Sequence, residues 1–95
     1  MSHFVYILAS RPNGAIYIGA ARNLRQRMEQ HKTAAVRGHA QRYKISTLVY
    51  FEQYEETLEA LHRERKLKRW RRTWKNELIE QNNPHWSDVS SEIPL

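Results

Sequence analysis

Two hydrophobic periods alternate along the chain. Residues 3–9 place Phe4, Tyr6 and Leu8 on one side and Val5 and Ile7 on the other. These residues are mostly β-branched or aromatic, which predicts a strand. Pro12-Asn13-Gly14 comes next. Asn-Gly between two apolar runs signals a hairpin, because both residues tolerate positive φ. Ala15 to Gly19 is then the returning strand, with Ile16 and Ile18 on one face and Ala15 and Tyr17 on the other. Asn23 is a candidate cap for a helix running to about Lys32. The inward stripe of that helix is Leu24, Arg27, Met28 and His31, so half of it is polar. Residues 33–43 have no clear period and read as a loop with a helical turn, and Ile45 to Tyr54 is a third strand. A helical period starts at Thr57, where Ala60, Leu61, Leu67, Trp74 and Leu78 share one broad face with Glu64 and Arg71 inside it. The pattern breaks near Arg72. Thr73 is a candidate cap for a second helix reaching about Gln81, ended by Asn82-Asn83-Pro84. The expected fold is α/β (α+β), a small antiparallel sheet with helices packed on it. Residues 1–84 form the domain and 85–95, with Ser, Pro and acidic residues, form a tail.

Composition narrows the function classes. Ninety-five residues suit one domain. Aromatic residues make up 11% of the chain, which argues against disorder. With no cysteine, neither a disulfide scaffold nor a Cys-ligated zinc site is available. The longest apolar run, Phe4 to Ala9, falls far short of the ~20 residues that span a bilayer. No membrane association and a cytoplasmic location are therefore expected. Sixteen Lys+Arg against ten Asp+Glu give a net charge of +6, which suits a polyanionic partner, nucleic acid above all. Half of these cations lie between Arg63 and Lys75, interleaved with Trp70 and Trp74. Arg63, Lys66, Lys68, Arg69, Arg71, Arg72 and Lys75 are the candidate nucleic-acid contacts. A merely solvated helix surface is the alternative of equal weight.

Several polar groups stand where packing alone would favour apolar ones. Arg27 and His31, four residues apart, can reach one spot. Glu64 interrupts the apolar face of a basic helix, and Tyr6 and Tyr17 sit on paired strands. Each has an ordinary explanation. The tyrosines can be core aromatics with hydroxyls at the rim, His31 can face the negative end of its helix, Arg27 can snorkel, and Glu64 can pair with Lys68 or Arg71. Taken together they suffice for phosphodiester hydrolysis. One carboxylate can hold Mg²⁺, which keeps water and substrate phosphate as its other ligands. An arginine stabilises the developing phosphorane charge. A tyrosine could serve as base only if nearby cations lowered its pKa from about 10. No phosphate-binding glycine loop is present.

Phe4-Val5-Tyr6, Tyr17-Ile18-Gly19, and Asn23-Leu24-x-x-Arg27-Met28-x-x-His31-Lys32 resemble the GIY-YIG nuclease superfamily. Glu64, with Asn76 twelve residues later, fits the same pattern. Trp74-Lys75, Leu78-Ile79-Glu80 and Asn83-Pro84-x-Trp86 resemble its small stand-alone, single-domain members, which are similar to the N-terminal nuclease domain of the excision-repair endonuclease. The first motif carries Phe4 in place of Gly and Val5 in place of Ile, and Ala20 stands where many relatives have Lys or Thr. The resemblance implies a three-stranded antiparallel sheet flanked by helices and metal-dependent DNA cleavage. In it Glu64 is the metal ligand for Mg²⁺ or Mn²⁺, and Tyr6 and Tyr17 are the motif tyrosines, one of them the base or water-positioning group. Arg27 is the phosphate-stabilising arginine, His31 lies near the scissile phosphate, and Asn76 supports the site. The expectation is an endonuclease of weak sequence specificity, structure-selective and linked to DNA repair or recombination. DNA is the expected partner, with RNA, a recruiting protein and a homodimer left open. The alternatives are a nucleic-acid-binding module with a vestigial site and, third, a protein-interaction domain.

Overall fold

A computed structural model of the chain describes residues 2–32 and 45–94. Its strands are β1 (His3–Ala9), β2 (Ile16–Ala21) and β3 (Thr47–Tyr54); its helices are α1 (Leu24–Lys32), α2 (Thr57–Arg69) and α3 (Arg72–Glu80). A short 3-10 turn follows at Ser90–Glu92. The sheet has the order β2-β1-β3 with both pairings antiparallel, so β1 is central. The three-stranded antiparallel sheet and flanking helices agree with the expected class. The loop expected over residues 33–43, including His39, lies outside the described residues.

Because β1 is covered on both faces, six of its seven residues are buried. Phe4, Tyr6 and Leu8 join Leu24 and Met28 of α1 in one core; Val5, Ile7 and Ala9 join Ala60, Leu67 and Ile79 of α2 and α3 in the other. β3 changes register between Ile7 and Leu8. The bulge lets Leu48 face the first core while both Val49 and Tyr50 pack towards the second.

The hairpin differs from the expected Asn-Gly turn. Gly14 N–H donates to Arg11 O and Ser10 N–H to Ala15 O, each at 2.9 Å, so four residues link the strands. Asn13 takes the left-handed conformation at φ 58°, whereas Gly14 does not. Pro12 pre-sets the first central position of a turn from Arg11 to Gly14, which puts Asn13 where positive φ is needed. Asn23 caps α1 as expected, accepting from Gln26 N–H at 3.0 Å.

The break between α2 and α3 falls at Trp70 and Arg71, both extended, with Arg71 rather than Thr73 at the cap position. Two extended residues turn α3, so that Ile79 is its buried contact and Trp74 stays 47% exposed. Trp74 therefore does not share the buried face of Ala60 and Leu67.

The segment expected as a tail returns to both cores within its described residues, 85–94. Trp86 is 3% exposed in the second core and Ile93 5% in the first. Asn83 organises this return: its amide donates to Val49 O and Ser87 O, and its Oδ1 accepts from Ser87 N–H. Val89 N–H then donates to Leu48 O, and Arg25 donates to Ile93 O.

Candidate active site

The cross-strand register builds one wall of the site. Tyr6 faces Gly19, and Tyr17 lies one step along on the same side of β2, opposite Leu8. The Tyr6 ring lies across Gly19. A side chain there would place its Cβ 2.7 Å from Tyr6 Oη, 2.8 Å from Tyr6 Cζ and 3.0 Å from Tyr17 Cε2. Gly19 is thus the residue that admits both rings, a role the sequence motif signals without explaining. The ring centroids of Tyr6 and Tyr17 are 6.3 Å apart.

α1 supplies the opposite wall. Leu24 and Met28 anchor it in the first core, and this fixes the half-buried Arg27 and His31 on the turns between and after them. His31 Nε2 is 3.4 Å from Tyr6 Oη. Its ring packs edge-to-face on both tyrosines, at 6.2 Å from Tyr6 and 5.7 Å from Tyr17. Burial pushes the Tyr6 hydroxyl up to about 12, aided by the charge of Tyr17 and opposed by that of Arg27. Burial, then the charge of Arg27, hold His31 below its ordinary value. At neutral pH, therefore, Tyr6 is a protonated donor and His31 a neutral imidazole. The cation beside Tyr6 does not bring its hydroxyl into the range of a general base.

Glu64 comes from the other face of the sheet. It lies on α2 between the buried Ala60 and Leu67, and α2 packs against β1 and edge strand β2. Its charge acts on the Tyr6 hydroxyl, raising that pKa further. The Glu64 side chain is 18% exposed and pairs with Lys68 at 3.1 Å; the lysine is 52% exposed. Of the two pairings the sequence left open, Lys68 is the one formed. The structure thus gathers Tyr6, Tyr17, Arg27 and His31, with Glu64 within electrostatic reach. Asn76 Oδ1 accepts from Arg72 at 2.8 Å, and Arg72 also donates to Gly14 O at the hairpin tip.

One carboxylate beside hydroxyl and imidazole groups suits a hard cation that retains water and binds phosphate. No group of three or more His, Cys, Asp or Glu is clustered among the described residues. The donor set therefore fits a cation of the Mg²⁺ kind rather than a closed zinc cage.

The basic segment is less uniform than its sequence suggests. Arg63 makes a forked bond to Glu52, with Nη2 and Nε each 2.9 Å from a carboxylate oxygen. Tyr50 and Tyr54 donate to the same carboxylate. Lys75 is half-buried and donates to Lys68 O; burial, then Arg72, lower its pKa. Lys66, Lys68, Arg69, Arg71 and Arg72 are exposed. The commitment of Arg63 to Glu52, eleven residues away on another element, left no signal in either local pattern.

A family model described as the GIY-YIG catalytic domain matches residues 2–77. UPF0213 protein SAV0488 of Staphylococcus aureus strain Mu50 and UPF0213 protein MW0443 of strain MW2 are each 36% identical over 80 residues, spanning 84% of this chain and 96% of theirs. The solution NMR structure of UPF0213 protein BH0048 from Bacillus halodurans has the same fold, with a TM-score of 0.58 at 23% identity over 96% of each chain.

Proposed function

Because this chain belongs to the GIY-YIG family of nuclease catalytic domains, we propose that it is a divalent-metal-dependent DNA endonuclease with weak sequence specificity. The observation that carries this reading is the convergence of Tyr6, Tyr17, Arg27 and His31 in one cluster that also feels the charge of Glu64. Glu64 would hold Mg²⁺ or Mn²⁺, and the bound cation would polarise the scissile phosphate. Arg27 supplies positive charge to the phosphorane. Tyr6, wholly buried, positions His31 through its hydroxyl instead of touching the substrate. His31, neutral, and Tyr17 orient the attacking water, with His31 as the acceptor of its proton. Asn76 acts at one remove, steadying Arg72 and through it the hairpin that carries Tyr17. Lys66, Lys68, Arg69, Arg71 and Arg72 guide the phosphate backbone. The protein would act in the cytoplasm on branched or damaged DNA in repair or recombination.

The Lys68–Glu64 ion pair favours a second reading, a binding module whose metal ligand is neutralised. Lys68 is half exposed and its ion pair contributes only about 0–1 kcal/mol, so a cation can displace it. The test is cleavage of single-stranded, duplex, nicked and branched DNA in Mg²⁺, Mn²⁺ or EDTA. Cleavage that needs the metal and disappears in Glu64→Ala supports the nuclease. Binding without cleavage in either metal supports the second reading.

A further inference from the structure

The elbow between α2 and α3 carries a pocket remote from the tyrosine cluster. Trp70, Trp74, Glu77, Leu78 and Gln81 line a volume of about 270 Å³. That is smaller than the roughly 300–1,000 Å³ of sites for drug-sized ligands and suits a single heterocycle. The two indoles meet edge-to-face at 5.9 Å. Arg63 lies 5.1 Å over Trp70, and Arg71 lies 5.1 Å over Trp74. These cations hold the rings rigidly without filling the pocket. Trp74 is 47% exposed, so its ring is open to a ligand.

Charge identifies the occupant. Lys66, Lys68, Arg69, Arg71 and Arg72 flank the elbow along the chain and are exposed, so this stretch attracts a polyanion. Glu77 lies in the pocket itself; its carboxylate repels phosphate and accepts hydrogen bonds from N–H groups. A polyanion that inserts a neutral, flat, N–H-bearing ring between its charges meets both demands. We infer that the Trp70–Trp74 pocket binds an unpaired nucleobase, so that the preferred substrate contains single-stranded nucleotides. Trp70, at the end of α2, lies six residues beyond Glu64, about 9 Å along the axis. Nucleic acid with an unpaired stretch is then favoured over continuous duplex. A duplex cannot offer a base to the pocket without unstacking it.

This inference rests on the nucleic-acid reading above, and its test separates the two. Affinities of the full-length protein for a labelled single strand and for a hairpin duplex would be measured in EDTA at one low salt concentration. The proteins compared are wild type, Trp74→Phe and Trp74→Ala. Loss of one base–aromatic stack is worth about 5- to 150-fold. Trp74→Ala should weaken single-strand binding by about 10-fold or more and duplex binding by less than about 2-fold, while Trp74→Phe keeps most of the difference. Single-strand binding should quench indole fluorescence in wild type, and Trp74→Ala should lose most of that quenching. Trp74 is half exposed, so the variant should fold, and a thermal melt checks this. Equal loss on both substrates, or unchanged single-strand affinity, overturns the inference while duplex binding by wild type leaves the nucleic-acid reading standing. No binding of either DNA by wild type overturns both.

Discussion

The two faces of this sheet carry polar clusters built from the same kinds of residue, with opposite characters. On one face Tyr50, Tyr54 and Arg63 close around Glu52. Burial alone would raise the Glu52 carboxyl, but bonds from Arg63, Tyr50 and Tyr54 outweigh it and hold the carboxyl below its ordinary value. Every donor there points at one acceptor, and the carboxylate has little capacity left. On the other face Tyr6, Tyr17, Arg27 and His31 meet without such a hub, and Glu64, whose charge reaches Tyr6 from α2, is held by one exposed lysine. A tyrosine–arginine–carboxylate kit is thus structural or chemical according to how completely its acceptor is satisfied. Composition cannot distinguish the two cases.

The comparison breaks most sharply at the two glutamates. Glu64→Ala should reduce metal-dependent cleavage by on the order of 10³-fold, since it removes charge stabilisation in the transition state. It should lower the melting temperature only slightly, because a pair whose lysine is half exposed contributes about 0–1 kcal/mol. Glu52→Gln should do the reverse, cutting at the wild-type rate per folded molecule. Its stability should fall by about 2 kcal/mol, less than the ~3–5 kcal/mol of a fully buried pair because Arg63 is partly exposed. Parallel denaturant titrations and single-turnover assays measure both. A Glu52 variant that folds well yet fails to cut would erase the distinction between the faces. The pH dependence sharpens it: a carboxyl held below its ordinary value stabilises the fold above about pH 4.5 and loses that contribution as pH falls through its folded value. Glu52→Gln should therefore flatten the acid limb of the stability curve.

How much of each face was legible follows from how local its signals are. The tyrosine cluster could be read because alternation fixes Tyr6 and Tyr17 on one side, and a four-residue step fixes Arg27 and His31 on one helix face. The strand and helix order was legible for the same reason. The Glu52 network was not, because Arg63 reads as one more cation in a basic run and nothing in either segment indicates the other. Trp86 and Ile93 were missed because a packed segment without regular structure has no period to detect. Asn83 turned the chain back through three side-chain bonds where its neighbour Pro84 suggested only an ending. Trp74 failed in the opposite sense, since a helical wheel carried past the bend at Trp70 and Arg71 assigned it to a face it does not occupy.

A smaller effect tests the geometry of the tyrosine cluster without removing a reacting group. Gly19→Ala would set a methyl group 2.7 Å from Tyr6 Oη and 3.0 Å from Tyr17 Cε2. The rings must shift, at a cost of about 1–3 kcal/mol for overpacking. A displacement of about 1 Å at reacting groups can cost 10²-fold in rate. Gly19→Ala should thus lose activity out of proportion to its stability, whereas Gly19 would matter only for stability if the tyrosines were mere core aromatics. Cleavage rate per folded molecule, read beside a melt, decides between them.

The smallest expected effect lies at His31 and concerns sign. Burial, then Arg27, hold its folded pKa below the ordinary 6.5. The unfolded chain therefore binds the proton more readily, and in that window stability rises with pH. The contribution is fully present above about pH 6.5 and is lost as pH falls through the folded value. His31→Gln cannot be protonated, so its stability should change less than wild type between pH 7 and 5, with the difference greatest at the acid end. The same proton should also silence a neutral imidazole that accepts from water. Wild-type cleavage should then decline over the window in which His31 becomes charged, and residual cleavage by His31→Gln should lack that decline. Stability that is flat with pH in both proteins would mean that His31 is as well solvated as an exposed histidine, and the tyrosine face would lose the buried imidazole on which its proton transfer depends.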